Sequence, residues 1–130
     1  MNDRELLELA AKACGYDTSH KWNADRLAMD PPVAALCIDG VSTGWNPLED
    51  DGHALRLAVK LHIGVRCHGP DHWQLPNVSV SLYDIGDSGG RVQCAHGDNP
   101  GRATRRAIVR AAAALAANTA LTGREPKEHQ

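Results

Sequence analysis

The sequence predicts an α+β fold. It should be a small antiparallel sheet of three to five strands with about three helices, and the buried middle and C-terminal helices should pack on one face. Three observations carry this. Apolar residues recur at helical spacing near the start, middle and end of the chain. Residues 77–85, NVSVSLYDI, alternate between apolar and polar, with Val78, Val80 and Leu82 on one face and Ser79, Ser81 and Tyr83 on the other. The link DSGG joins that run to RVQCAHG and has the chemistry of a hairpin.

Each element has a local reason. RELLELAAKAC (4–14) fits an amphipathic helix, with Asp3 as a possible cap and Gly15 as the stop. Residues 15–32 are polar and irregular up to Pro31-Pro32. VAALCID (33–39), bounded by proline and glycine, is expected to be a strand, and VSTGW its return, with Gly40 in the turn. In the next segment Asp50 or Asp51 can cap a helix that Gly64 ends. Leu55, Leu57, Ala58, Val59 and Leu61 leave that helix little polar surface, so burial on more than one side is expected. A meander of strands follows at 62–69, 77–85 and 91–97. The closing helix, about 100–118, sets Ile108, Ala111, Ala112 and Leu115 opposite Arg102, Arg106 and Arg110. The chain reads as one domain over 1–121 with a solvated tail over 122–130.

Composition narrows the class. The chain has 130 residues, a formal charge of −2 and 42% hydrophobic residues, values that exclude a collagen, a coiled-coil rod, a disordered polyelectrolyte and a disulfide-dense toxin. No apolar stretch reaches the ~20 residues of a membrane span. The acidic, helix-patterned start is unlike a signal peptide, so a cytoplasmic protein is expected. Cys14, Cys37, Cys67 and Cys94 lie in apolar runs without a C-x-x-C pair and are expected to be free thiols in the core. Phenylalanine is absent, and Trp22, Trp45 and Trp73 all lie near turn residues, so they are expected at the rim.

Several motifs invite a chemical reading. Gly86-Asp87-Ser88-Gly89-Gly90 resembles the nucleophile loop of chymotrypsin-like proteases over five residues. The rest of that family's signature is missing and the chain is too short for its two barrels. A glycine-rich turn is the expectation, and no enzyme is read from it. Cys67, His68, His72, Cys94 and His96 are residue types that hold zinc. Their spacing matches no finger or ribbon, and neighbours on a strand point to opposite faces. No metal site and no cofactor are therefore expected, although a small metal- or ligand-binding domain is a further alternative. Arg102, Arg105, Arg106 and Arg110 could track phosphates, but a solvated helix face has the same pattern. His53 beside Asp50 and Asp51 could be an acid–base pair or simply the start of a capped helix.

Three segments carry a resemblance: NDRELLELAAKA at the start, WNPLEDDGHALRLAVKL from Trp45 to Leu61, and ATRRAIVRAAA from Ala103 to Ala113. Together they resemble a family of small phage and prophage accessory proteins and cover about a third of the chain. The resemblance implies a phage origin and brings no reaction or catalytic residues with it. Small phage accessory proteins often act by binding. The leading expectation is therefore a non-enzymatic protein that contacts a bacterial host protein, in its sharpest form inhibiting a defence complex as anti-CRISPR proteins do. The surfaces expected to bind are Trp45 with Glu49, Asp50 and Asp51, and the loop with His68, His72 and Trp73. Nucleic-acid binding through the arginine helix is the alternative. A homodimer is a possible assembly, and no membrane partner is expected.

Overall fold

The computed structural model describes residues 1–40 and 42–122. Among them, α1 (Asp3–Ala13), α2 (Lys21–Leu27), β1 (Leu36–Ile38), β2 (Ser42–Trp45), α3 (Asp51–Leu61), β3 (Gly64–Cys67), β4 (Val78–Ile85), β5 (Ser88–Ala95) and α4 (Pro100–Thr122) follow in order. The class is α+β, with a two-stranded antiparallel sheet β1–β2 and a three-stranded antiparallel sheet β3–β4–β5. No helix among the described residues is long and apolar enough to cross a membrane.

α4 is the axis of the molecule. One side lies on the three-stranded sheet and the other takes α1 and α3. The main core is Leu6, Leu7, Ala10 and Ala11 of α1, Ala54, Leu57 and Ala58 of α3, and Ile108, Val109, Ala111, Ala112 and Ala113 of α4, closed by Leu36, Ile38 and Trp45. The many alanines let helix backbones approach closely where phenylalanine would hold them apart.

Cross-strand register assigns the sheet faces. Ser79 lies opposite Cys67 and Cys94, and Ser81 opposite Val65 and Val92. This is the face that α4 covers: Ser79 and Ser81 are fully buried, and Cys94 clusters with Ala103 and Ala107 of α4. Val78, Val80 and Leu82 lie on the opposite face, which no helix among the described residues covers but where Val80, flanked by Arg66 and Gln93, is still buried. The sequence shows the alternation. The alanines of α4 select the serine face, because small side chains on both partners allow helix and sheet to meet closely.

Several boundaries differ from the sequence reading. Asn2, not Asp3, caps α1, in a capping box with Glu5. The 15–32 stretch contains α2, which exists because Asn23 is buried in a hydrogen-bonded site. Its amide donates to Thr18 and Cys37 carbonyls and its oxygen accepts from Cys37 N–H at 2.7 Å. Buried Arg4 donates to the Asn23 carbonyl at 2.6 Å and to the Val33 carbonyl. β5 begins at Ser88, so the hairpin turn is Gly86-Asp87 and the two following glycines belong to the strand. Gly90 is required there, since a Cβ would overlap the Tyr83 ring that lies across it. α3 ends at His62, which adopts the left-handed conformation, before Gly64. α3 is also less buried than its composition suggests, with Leu55 64% and Val59 66% exposed, because only α4 packs on it closely. The last described residue, Thr122, closes α4, so the expected tail lies outside the described residues beyond that point.

Candidate functional site

The structure separates the two surfaces expected to bind. At the first, Trp45 is only 6% exposed and belongs to the core, with its ring edge-on to Tyr16 at 5.7 Å. This corrects the expected rim position: β2 pairs with β1 and turns the indole into the core cluster that α1, α3 and α4 share. Asp50 accepts from the His53 N–H at 2.8 Å and caps α3. That hydrogen bond holds its carboxyl below the ordinary carboxylate range. Asp51 pairs with Arg105 at 2.8 Å, and Arg105 also donates to the Leu48 carbonyl. His53 Nδ1 accepts from Asn46 N–H, so the imidazole closes a turn, and what Asp50 binds is the His53 backbone N–H. Glu49 is exposed. Most of this surface is committed to holding α3 against α4.

The arginine stripe is committed in part. Arg105 binds as just described, Arg106 pairs with Asp3 at 3.1 Å and ties α4 to α1, and Arg110 reaches the Cys94 sulfur at 3.5 Å. Arg102 is exposed at the start of α4. Only part of the row is therefore free to meet phosphates.

The Cys and His residues fall on opposite sides of the sheet. Cys67, Cys94 and His96 are on the α4 side, whereas His68 and His72 are on the open side. Among the described residues no group of three or more His, Cys, Asp or Glu is placed to hold a metal ion. Cys37 and Cys94 are buried and Cys14 is half-buried, where burial pushes its thiol up to about 11. Cys67 is exposed, against the expected core position, because β3 is an edge strand. Its sulfur lies 3.7 Å from the Thr104 hydroxyl.

A serine and a histidine do meet at this end of α4. Ser79 Oγ lies 2.9 Å from His96 Nε2 and 2.6 Å from Thr104 Oγ1, and Thr104 donates to the Pro100 carbonyl. The direction of this chain follows from its end. The carbonyl takes the Thr104 proton, so Ser79 donates to Thr104 and His96 Nε2–H donates to Ser79. The imidazole is thus not positioned as a base toward Ser79. The chain stitches β4, the end of β5 and α4 together. Ser88 of the GDSGG segment instead donates to the Ile85 carbonyl in its own hairpin.

The second expected surface is built differently. Residues 68–77 form a loop closed at its base, where the Gly69 carbonyl accepts from His72 N–H and Asn77 N–H and His68 N–H donates to the Val78 carbonyl. Asn77 takes a positive φ of 57° to re-enter the sheet. Inside the loop, His68 Nδ1 faces the Leu75 carbonyl at 3.0 Å and must donate to it. His72 Nδ1 accepts from the N–H groups of Gln74 and Leu75 at 3.2 and 3.0 Å. The two imidazoles stack in parallel at 3.8 Å, and Trp73 continues the stack at 6.4 Å and 22°. Trp73 is 83% exposed, the largest exposure among the large apolar side chains described. Burial, then the charges of His68 and Arg66, hold the His72 pKa below the ordinary histidine value. Arg66 was missed as a member of this group. Its signal was the strand period of two, which puts residues 66 and 68 on one face.

Comparison with protein-family models, with curated proteins and with solved structures finds no match to this chain.

Proposed function

We propose that this protein acts by binding another protein, and that the 68–77 loop with Trp73 at its tip is the contact surface. The observation that supports this most directly is the 83% exposure of Trp73 on a loop whose backbone is already tied down. A fixed, exposed indole loses little conformational entropy when it docks, which is what makes tryptophan a frequent hot spot. Arg66 beside the rings suits a partner with an apolar socket rimmed by carboxylates. The resemblance to phage accessory proteins makes a bacterial defence complex the first partner to try, with inhibition as the outcome.

The test is capture from a bacterial lysate with and without nuclease, followed by affinity measurement on the purified pair. The expected result is a stoichiometric, nuclease-resistant host protein whose affinity falls about thirtyfold with Trp73→Ala, the scale of a hot-spot residue. It should be unchanged when Arg102 and Arg110 are replaced together. Equal affinity for wild type and Trp73→Ala overturns the surface. Recovery of nucleic acid alone, abolished by moderate salt, moves the arginine helix to first place.

A further inference from the structure

We infer that His72 is a proton-sensitive latch: protonation of its Nδ1 opens the loop that presents Trp73. The inference rests on the proposed binding surface for its functional meaning, but the latch itself stands on hydrogen-bond geometry. The Nδ1 lone pair of His72 accepts two backbone N–H groups, from Gln74 and Leu75. An imidazolium has no lone pair there. Protonation therefore replaces two attractive contacts with an N–H facing two N–H donors.

The surroundings act in the same direction. His68 stacks face to face on His72 at 3.8 Å, so a charge on one ring disfavours a charge on the other. Arg66 adds a second positive charge from β3. The Trp73 ring faces His72 from the loop itself, and Asp71 precedes it in the chain and is exposed. His68 itself is bound in a way that survives protonation, because its Nδ1 is already the donor to the Leu75 carbonyl. The two histidines thus differ in role: His68 anchors the loop and His72 senses the proton.

The sign follows from linkage. The closed loop holds His72 neutral, so closure is fully favoured above the ordinary histidine pKa. It is lost as pH falls through the lowered one. Between the two values the closed-to-open ratio falls by up to about tenfold per pH unit, the limit for one proton, and it levels off below the lowered one.

The test is amide and indole NMR of the full chain from pH 8 to pH 5. The amide resonances of Gln74 and Leu75 and the indole resonance of Trp73 should titrate together with a midpoint below 6.5. In His72→Asn the side-chain oxygen can accept the same two amides without titrating, so the three signals should stay in their closed positions. Signals that do not move across this range overturn the latch, as does an unchanged titration in His72→Asn. Partner affinity separates the two claims. If the loop titrates while Trp73→Ala binds normally, the latch stands and the binding surface is overturned. If affinity depends on Trp73 but the amides do not titrate, the reverse holds.

Discussion

Two turns of this molecule share their ingredients and use them in opposite ways. Both place a tryptophan near a histidine whose Nδ1 accepts backbone N–H groups: His53 for the turn after Trp45, His72 for the loop with Trp73. The first turn lies against other elements. Tyr16 packs edge-on against Trp45 and Arg105 reaches Leu48 and Asp51, so its groups are consumed by neighbouring elements. The second turn lies at the end of a sheet, supports itself by stacking its own rings, and leaves its indole outside. A histidine-closed turn can therefore serve packing or presentation, and the neighbouring elements determine which.

Substitution of the two tryptophans should show the largest contrast. Trp45→Ala is expected to destabilise by about 3–5 kcal/mol, the usual cost of emptying an aromatic core site. Trp73→Ala should change stability by no more than about 0.5 kcal/mol, as exposed sites do. Urea unfolding of both variants measures this, and equal losses would remove the distinction between the turns.

Next in size is Arg105→Ala, which removes a hydrogen bond to the Leu48 carbonyl from a largely buried guanidinium. A loss of about 1–2 kcal/mol is expected. Little of it should come from Asp51, whose carboxylate is mostly solvated. Asp51→Asn in the same unfolding assay should therefore be close to neutral.

The serine face of the sheet gives a smaller contrast of opposite signs. Ser79→Ala breaks the relay between His96 and Thr104 and should cost about 1 kcal/mol. Ser81 is equally buried, but its hydroxyl has no hydrogen-bond partner in the protein. Ser81→Ala should therefore be neutral or stabilising by about 1 kcal/mol. If both variants lose stability equally, the directed relay is wrong.

The smallest effects are acid titrations, which should separate the turns by pH. Asp50 has a lowered pKa because it caps α3, so its contribution is complete above the ordinary carboxylate range. It is lost only as pH falls through the lowered value. The 68–77 loop should open at higher pH, in the range where histidine titrates. Amide exchange at His53 and at Gln74 should then rise at two distinct pH values, and a single shared midpoint would contradict this.

Much of the architecture was legible because it is written in local periodicity. The helices at α1, α3 and α4, the alternation of β4 and the presence of a hairpin after it follow from spacing and turn chemistry, although the turn itself sits at Gly86-Asp87 and not across DSGG. α2 was not legible, since its seven residues are held by Asn23 bonding to Cys37 and by Arg4 reaching the Asn23 carbonyl, contacts with residues up to 19 positions away. In the candidate site, the placing of His68, His72 and Trp73 near turn residues singled out the 68–77 loop from sequence alone. Nothing local distinguished Trp45 from Trp73.

The sequence by itself determined the class of fold, the position of the turns and the residue types within each. Backbone propensity and side-chain period act over a few neighbours and need no knowledge of the rest of the chain. Tertiary structure decided which sheet face is covered, which tryptophan is buried and which arginines are engaged. Those outcomes depend on which elements meet, and burial is a property of the pair in contact. α4, lying between the helices and the sheet, makes most of these choices at once.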